Sequence, residues 1–383
     1  MLEPYPFRLF ANPRAGLPGA VVLPDAGYAR ARAEITSWPG YAPTPLRDLA
    51  GFAAQAGVAA VRLKDEAERF GLGSFKALGG AYAVAEVLIA ELARRGVAPA
   101  ANSADLVARR YAATTRQVTV TTATDGNHGR SVAWGAERFG CGCVIYIHRT
   151  VSVGREQAIA RYGAEVRRVE GNYDDAVHEA ARTAAAEGWF VVSDTSWPGY
   201  ASVPVNVMQG YRLMVDEVAE QWAAAPTHVF IQAGVGAAPA AVSVQARARY
   251  APAPAVVVVE SDQAACLLAS AEAGTPTAVP GELKTVMAGL ACGEPSLLAW
   301  SQLDRGAAAF MAVPDGAAID CMRLLAREGI VAGESGVASL AAFLLAAADP
   351  AARATLGLDA ASRVLLFNTE GATDPETYRA LVG

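Results

Sequence analysis

Residues 68–80 read Glu68-Arg-Phe-Gly-Leu-Gly-Ser-Phe-Lys-Ala-Leu-Gly-Gly80, a lysine among glycines at the start of a helical pattern. Ser74 is a common helix-capping residue type and apolar side chains then recur at helical spacing, so the pattern predicts a helix over Ser74–Gly96. Lys76 falls in its first turn, where the backbone dipoles favour the neutral amine that attacks a carbonyl. We interpret Lys76 as a candidate for imine chemistry, with room for a flat ring beside the glycines. A solvated helix lysine is the alternative.

Outward from this stretch, short apolar strands alternate with helical patterns along most of the chain. The predicted strands are Val118–Ala123, Cys143–Ile147, Glu165–Val169, Phe190–Ser193, Val229–Gln232, Val256–Glu260 and Val364–Phe367. The helices between them include Gly126–Phe139, Tyr173–Gly188, Val205–Trp222 and Gly316–Gly329. Because the strands are apolar throughout, they are typical of parallel sheets covered by helices on both faces. The sequence therefore predicts an α/β, doubly wound architecture.

Composition places the chain among ordinary compact proteins and argues against several kinds of partner. Its 383 residues are 53% hydrophobic and 18% charged, with 32 basic and 38 acidic residues and a net charge of -6. It has no Lys/Arg run suited to nucleic acid. The longest apolar stretch, near Val337 to Ala348, is too short to span a bilayer, and the first residues lack the pattern of a signal peptide. We therefore expect a cytoplasmic protein with no nucleic-acid or membrane partner.

Cysteines and histidines are not spaced as metal ligands. The five cysteines are Cys141, Cys143, Cys266, Cys292 and Cys321, and the four histidines are scattered. We therefore expect structural thiols and no metal site. The lysines are only Lys64, Lys76 and Lys284, so any lysine-dependent chemistry has three candidates.

Two strand-to-helix turns have anion-binding character. The first reads Thr121-Thr-Ala-Thr-Asp-Gly-Asn-His-Gly129, in which Asn127 can hydrogen-bond a ring hydroxyl. Its alternative is an ordinary turn with Asp125 as the helix N-cap. The second reads Gln232-Ala-Gly-Val-Gly-Ala-Ala238, whose N–H groups can converge on a phosphate. The spacing from this loop to Glu260 keeps a nicotinamide dinucleotide site as an alternative.

Two later strand ends also carry polar residues. Asp194 opens the aromatic-rich turn Asp194-Thr-Ser-Trp-Pro-Gly-Tyr200, and Thr369 lies in Asn368-Thr-Glu-Gly371. Taken singly, each suits a plain turn. The order along the chain is more specific: a lysine helix, an asparagine turn, a glycine loop and a hydroxyl at the last core strand.

This order resembles the fold type II pyridoxal-phosphate (PLP) enzymes, which include serine/threonine dehydratases, cysteine synthases and the tryptophan synthase β subunit. The resemblance implies that Lys76 carries PLP as a Schiff base beside Phe75. It also places Asn127 on the ring hydroxyl and Thr369 at the pyridine nitrogen. The phosphate site that it implies consists of Gly234, Val235, Gly236, Ala237 and Ala238.

Within that family the chain is most similar to the diaminopropionate ammonia-lyases. The similar stretches are Arg69–Lys76, Thr124–His128, Asp194–Trp197, Met208–Tyr211, Gly289–Pro295 and Asn368–Gly371. At the position of Asp125, simple serine and threonine dehydratases usually have Ser or Ala. The resemblance implies β-elimination of ammonia from D- and L-2,3-diaminopropionate, giving pyruvate and two ammonia.

The same resemblance assigns the catalytic roles. Lys76 and Asp125 are expected to take the α-proton from opposite faces, and Asp194 to bind the β-ammonium group or manage protonation of the leaving amine. The implied substrate-binding set is Thr124, Asp125, Gly126, His128 and Asp194. Pro198 stands where an acidic residue is expected, so the substrate-side loop departs from the pattern. Pro239 follows Ala238, after the phosphate loop, where smaller residues are expected.

Other functions are weighed against this one. The nearest is a related PLP lyase or dehydratase acting on D-serine, threonine or another β-substituted amino acid, followed by a β-replacement enzyme. A nicotinamide-dependent dehydrogenase, or a binding protein without catalysis, leaves Lys76, Asp125 and Asp194 without a joint role.

The family also implies an organisation for the chain. It predicts two doubly wound domains with mostly parallel sheets, a large PLP-binding domain of residues 1–85 and 201–383 and a small mobile domain of residues 86–200. A homodimer and an active site between the domains are expected on the same ground.

Overall fold

The computed structural model describes residues 2–17, 23–124 and 126–383. The chain forms two compact units. Unit 1 comprises Met1–Val22, Pro43–Ser74 and Arg212–Gly383, and unit 2 comprises Leu23–Ala42 and Phe75–Tyr211. The domain boundaries at residues 85 and 200, and the mobility of the smaller domain, stay a prediction.

Strands and helices alternate along the chain as the sequence predicts. The strands are β1 (Arg8–Ala11), β2 (Leu46–Asp48), β3 (Ala60–Asp65), β4 (Thr119–Thr124), β5 (Gly142–His148), β6 (Glu165–Val169), β7 (Phe190–Val191), β8 (His228–Gln232), β9 (Ala255–Ser261), β10 (Ala309–Val313) and β11 (Arg363–Asn368). The helices are α1 (Asp25–Thr36), α2 (Ala50–Ala56), α3 (Ala77–Arg94), α4 (Ser103–Val107), α5 (Ala112–Thr115), α6 (Asn127–Phe139), α7 (Val153–Ala160), α8 (Tyr173–Glu187), α9 (Ser202–Tyr211), α10 (Leu213–Gln221), α11 (Ala237–Arg249), α12 (Cys266–Ala273), α13 (Leu297–Gly306), α14 (Asp315–Arg327), α15 (Ala338–Ala348), α16 (Pro350–Leu356) and α17 (Pro375–Val382).

Unit 1 is built on a sheet in the order β1-β10-β9-β8-β11-β3-β2. Its inner pairs are parallel, whereas β1 and β2 pair antiparallel with their neighbours at the two edges. Helix α15 is buried over most of its length, and its Phe343 packs edge-on against Phe230 of β8, with ring centroids 5.8 Å apart. The longest apolar stretch of the sequence is therefore a core helix. Among the described residues, no helix is long and apolar enough to cross a membrane.

Unit 2 is built on a parallel sheet in the order β6-β5-β4-β7. Strands β4 and β7 are neighbours, with Thr121 opposite Val191. Because the carboxyl ends of parallel strands meet at one edge, the turn after Thr124 and the turn after Val191 both begin there. Both sheets confirm the predicted α/β class with mostly parallel strands.

The lysine helix begins later than the sequence predicts. Helix α3 starts at Ala77, with Lys76 at the N-cap position. Ser74 is not the cap, because it pairs with Glu370 in an isolated β-bridge. Between Arg69 and Ser74 the backbone follows a tight path, with φ of 52° at Phe70 and 69° at Gly71.

Glycines let three helices of unit 2 approach closely. A Cβ at Gly80 would overlap the Ser131 hydroxyl of α6, and a Cβ at Gly210 of α9 would overlap the Leu78 carbonyl of α3. A Cβ at Gly79 would lie 2.7 Å from Val207. Gly79 and Gly80 therefore serve helix packing, which corrects the expectation that they clear space for a ring.

Unit 1 also contains a fully buried network of charges. Lys64 of β3 and Arg69 both contact Glu217 of α10, at 2.6 and 2.7 Å, and these three side chains are at most 1% exposed. Arg69 also pairs with Glu66 at 2.8 Å, and Glu66 accepts from the Thr44 hydroxyl at 2.6 Å. Burial without partners would make these charges very costly, so the network holds together as a set.

Candidate active site

Lys76 and Asp194 form an ion pair. The Lys76 Nζ donates to Asp194 Oδ2 at 2.5 Å, and the two side chains are 18% and 7% exposed. The rings of Phe75 and Tyr211 lie 5.4 and 5.9 Å from the Lys76 nitrogen. The sequence marks Phe75, Lys76 and Asp194 as site residues, whereas Tyr211 appears only within a stretch of family similarity.

The pair keeps Asp194 ionised. Burial raises the pKa of Asp194, but attraction to Lys76 and His128 and the hydrogen bond from Lys76 together lower it to about 2. Burial also raises the pKa of the Tyr211 hydroxyl, which is neutral near pH 7. Among the described residues around Lys76, Asp194 therefore presents a carboxylate to a cation.

The turn after β7 holds Asp194 in place. Tyr200 folds back on this turn: its hydroxyl accepts the Ser193 N–H at 3.0 Å and donates to the Val191 carbonyl at 2.8 Å. The rings of Tyr200 and Trp197 stack with centroids 4.2 Å apart. The aromatic-rich turn thus supports Asp194, and Pro198 lies inside it.

His128 of α6 lies beside the same carboxylate. Its Nε2 is 2.8 Å from the Val192 carbonyl, and its Nδ1 is 4.0 Å from Asp194 Oδ2. A carbonyl only accepts, so Nε2 carries a proton and Nδ1 is the nitrogen that faces Asp194. His128 was predicted as a substrate-binding residue, and the structure brings it next to Asp194.

The asparagine turn is closed by Thr124. Its hydroxyl accepts the N–H groups of Gly126 and Gly129, each at 2.9 Å. Gly126 is the N-cap of α6, with φ of 149° and ψ of -69°, a conformation that glycine alone adopts readily. Asn127 is the first helical residue, and its Oδ1 accepts from Arg130 at 3.3 Å. Asp125 lies outside the described residues.

In unit 1, the glycine loop Gly234–Ala238 connects β8 to α11. Gly236 is the N-cap with φ of 102°, and a Cβ on Gly234 would lie 3.0 Å from both Cys292 Sγ and the Gly289 carbonyl. The first amides of a helix have no acceptor within the helix, and its dipole favours an anion there. Pro239 lies in the first turn of α11, and because proline has no N–H group it adds no unpaired donor there. The loop therefore fits a phosphate group.

Thr369 follows the neighbouring strand β11. It is buried, and its hydroxyl accepts from Gln232 Nε2 at 2.7 Å. The same Gln232 nitrogen contacts the carbonyls of Gly336 and Phe367 at 2.9 and 3.0 Å. Because Gln232 occupies one acceptor site of the hydroxyl, the Thr369 proton can be donated to a ring nitrogen. Sequence reasoning missed Gln232, although an amide at the end of a buried strand is the available signal.

Glu260 has a structural role. It is fully buried, and its two oxygens accept the N–H groups of Leu267 and Leu268 of α12 at 2.8 Å each. Burial raises its pKa to about 8 despite these bonds. Both oxygens of Glu260 therefore cap α12. In a dinucleotide site they would have to accept from the ribose hydroxyls, so the geometry does not support that alternative.

Comparison with known proteins gives one consistent result. The family model described as pyridoxal-phosphate dependent enzyme matches residues 37–369. The diaminopropionate ammonia-lyase of Salmonella typhimurium is 38% identical over 370 residues, which cover 90% of this chain and 89% of that protein. The crystal structure of the Escherichia coli diaminopropionate ammonia lyase in complex with D-serine has a TM-score of 0.91 and 34% identity, covering 100% of this chain and 98% of that chain. The same enzyme in complex with an aminoacrylate-PLP azomethine reaction intermediate has a TM-score of 0.88, with the same identity and coverage.

Proposed function

The chain belongs to the family of pyridoxal-phosphate-dependent enzymes, and on this premise we propose that it is a lyase releasing ammonia from 2,3-diaminopropionate. PLP, when bound, withdraws electrons from the substrate's α-carbon and so eases loss of the α-proton. The β-amine leaves as ammonia, and the 2-aminoacrylate takes up water to give pyruvate and a second ammonia. One diaminopropionate and one water thus yield one pyruvate and two ammonia.

The residues described above would hold PLP in the following way. The glycine loop Gly234–Ala238 receives the phosphate, and Asn127 binds the ring oxygen. Thr369 would donate a hydrogen bond to the ring nitrogen and so leave that nitrogen unprotonated, a state that would favour elimination over transamination. Lys76 provides the amine that joins the cofactor to the protein.

The contact between Asp194 and Lys76 carries the substrate proposal. The Asp194 carboxylate holds an alkylammonium group at 2.5 Å, and the β-ammonium of diaminopropionate is the same chemical group. An ammonium group beside Asp194 keeps this carboxylate ionised at neutral pH, because attraction to the cation lowers its pKa, as Lys76 does in the structure. It therefore keeps the β-amine as ammonium, the form in which breaking the C–N bond releases neutral ammonia. Serine and threonine bring a hydroxyl, which gains no charge attraction from this carboxylate.

The proton transfers are assigned to two groups. Lys76 takes the α-proton of one isomer, and Asp125 takes that of the mirror-image isomer from the opposite face. The assignment of Asp125 rests on the family resemblance. His128, beside Asp194, lies within reach of the same substrate end.

Elimination from D-serine is the second candidate. It is favoured by the complex of the 34% identical Escherichia coli enzyme with D-serine. Both candidates use the same cofactor and the same lysine, so substrate comparison separates them.

The deciding experiment measures pyruvate release from L- and D-2,3-diaminopropionate, D-serine and L-threonine. Wild type is expected to use both diaminopropionate isomers, and Asp125→Asn to lose the D isomer selectively. Asp194→Asn should reduce kcat/KM for diaminopropionate by about 10- to 10²-fold and leave D-serine turnover much less affected, since charge-assisted contacts are worth about 1.5–3 kcal/mol. Glu220→Gln, an exposed carboxylate on α10, is the matched control. A yellow protein that turns over D-serine but not diaminopropionate overturns the substrate proposal and keeps the cofactor.

A homodimer, a cytoplasmic location and a mobile domain of residues 86–200 belong to the proposal as well. Sedimentation of the purified protein tests the first, and fractionation of the producing cells tests the second. Protection of residues 86–200 from hydrogen exchange upon substrate binding tests the third.

A further inference from the structure

Gln232 is the last residue of β8, and Thr369 directly follows the parallel neighbour of that strand, β11. Both residues are buried, at 3% and 4% exposure. Three oxygens surround the Gln232 Nε2 within hydrogen-bond distance: the Thr369 hydroxyl at 2.7 Å and the carbonyls of Gly336 and Phe367 at 2.9 and 3.0 Å. The side-chain amide is thus held by the backbone of two neighbouring segments.

The two carbonyls determine which way the Gln232 amide faces. A backbone carbonyl only accepts, so the NH₂ group must face Gly336 and Phe367, since the reverse orientation would set Oε1 against two carbonyl oxygens. An amide NH₂ group only donates. The Thr369 proton therefore cannot point toward Gln232, and the hydroxyl meets this nitrogen as an acceptor.

Strand β8 also leads into the glycine loop. Gly234, the first residue of that loop, follows Gln232 by two positions, and β8 is buried and paired on both sides, with β9 and β11. The position of the Gln232 side chain is therefore fixed relative to the loop that fits a phosphate. One residue thus relates the direction of the Thr369 hydroxyl to the phosphate site.

The direction of this hydroxyl matters for a ring nitrogen beside it. A hydroxyl that donates to a pyridine nitrogen stabilises the unprotonated nitrogen, whereas a hydroxyl that accepts from it stabilises the protonated one. A freely rotating threonine can do either, because its oxygen has one proton and two acceptor sites. Gln232 excludes one direction for the proton and occupies one acceptor site, so it favours donation.

We propose that Gln232 is a positioning residue that holds the Thr369 hydroxyl as a donor and so keeps the ring nitrogen of bound PLP unprotonated. This role rests on the proposed function in taking PLP as the ligand and Thr369 as its ring-nitrogen partner. Gln232 acts through Thr369. When Gln232 is replaced by an apolar residue, the hydroxyl is free to turn its proton to a backbone carbonyl and to accept from a protonated ring nitrogen.

The test loads wild type, Gln232→Met and Gln245→Met with PLP labelled with ¹⁵N at the ring nitrogen and measures the ¹⁵N chemical shift as the pH is lowered. Gln232→Met keeps a similar side-chain length and removes the donor. At each pH its ratio of protonated to unprotonated nitrogen should be roughly tenfold higher than in wild type, as expected for the loss of one hydrogen bond. Gln245→Met is the control and should match wild type, because it removes a buried amide of the same unit that bonds Arg212 and Asp216 instead.

Transfer of the amino group to the cofactor gives a second readout. Because a protonated ring nitrogen favours transamination, pyridoxamine phosphate should accumulate several-fold faster relative to pyruvate in Gln232→Met. Thr369→Ser keeps the hydroxyl and should match wild type in both measurements. Thr369→Val removes the hydroxyl and should change the ¹⁵N shift in the same direction as Gln232→Met.

A double-mutant cycle decides whether Gln232 acts through Thr369. In the Thr369→Val background, Gln232→Met is expected to add little to the change in the ¹⁵N shift. Additive changes, an unchanged shift in Gln232→Met, or a protonated nitrogen in wild type would each overturn the proposal. If Gln232→Met does not fold by circular dichroism, Gln232→Asn, whose shorter amide withdraws from Thr369, must show the same change. Wild type that binds PLP but leaves diaminopropionate intact refutes the proposed substrate and not the role of Gln232.

Discussion

Lys76 and Asp194 meet at 2.5 Å although 118 residues separate them in the chain. The sequence identifies each by its local motif, because a lysine before a glycine-rich helix and a carboxylate at a strand end are both visible in one dimension. It does not show that they pair, or that His128 lies beside them, since these contacts depend on the neighbouring positions of β4 and β7. Gln232 was not predicted because its contact with Thr369 depends on the neighbouring positions of β8 and β11.

The environments of the lysines predict where PLP attaches. Lys64 is fully buried in ion pairs with carboxylates, and Lys284 is exposed in a loop. Borohydride reduction of the PLP-loaded protein should therefore label the tryptic peptide of residues 70–94, which contains Lys76. Lys76→Ala should lose the label and about 10²–10⁴-fold in turnover, as expected for a general base. Lys284→Ala should retain both, and a label on Lys284 or Lys64 in the native protein contradicts the assignment.

At the scale of elements, the sequence predicts the four strands of unit 2 and strands β8, β9 and β11 of unit 1, and it misses the other strands of unit 1. The missed strands are β1, β2, β3 and β10. Strand β3 carries Arg62 and Lys64, and charged residues indicate exposure unless a partner such as Glu217 is known. Strand β10 is a short apolar run, which periodicity does not separate from a helix. The predicted helix Val205–Trp222 is two helices, α9 and α10, with Arg212 between them.

The close packing of α3 and α9 gives a stability prediction. In Gly210→Ala the new Cβ meets the Leu78 carbonyl, and backbone cannot rotate away as a side chain can. We expect a loss of about 1–3 kcal/mol or more, because overpacking forces backbone shifts. Gly51→Ala in α2 meets nothing within 4 Å and should be neutral or stabilising by up to about 1 kcal/mol. Thermal unfolding midpoints measure both, and equal midpoints would speak against the packing argument.

At the scale of the whole molecule, the buried charge network governs acid stability. Burial raises the pKa of Glu217, but hydrogen bonds and attraction from Arg69 and Lys64 outweigh burial and lower it. Because the pKa of Glu217 is lower in the folded protein than in the unfolded chain, its ionisation stabilises the fold at pH values above the ordinary glutamate pKa of about 4.3. This contribution to the free energy of unfolding is lost as the pH falls below that value. The ionisation of Asp194 also stabilises the fold at neutral pH, and this contribution is lost as the pH falls toward its pKa of about 2.

Replacing one charged residue of the network should therefore reduce the free energy of unfolding most at neutral pH. Glu217→Gln leaves Arg69 and Lys64 under-compensated and should lower the free energy of unfolding by about 3–5 kcal/mol. Its deficit relative to wild type should narrow as pH falls below about 4, since Glu217 then becomes protonated in the unfolded chain while it is still ionised in the folded protein, and proton uptake favours unfolding of the wild type. Urea unfolding at several pH values measures this, with Glu220→Gln as the exposed control on α10. A deficit that does not change with pH would show that packing, not charge, explains the loss.

The distribution of lysine side chains has a practical consequence for handling the enzyme. Lys64 is fully buried in unit 1, and Lys76 forms an ion pair with Asp194. Of the three lysines, Lys284 is the one with an exposed side chain. Among the lysines, coupling to an amine-reactive support is therefore expected at residue 284. Because this loop lysine is not the one paired with Asp194, coupling through it should leave Lys76 available for catalysis.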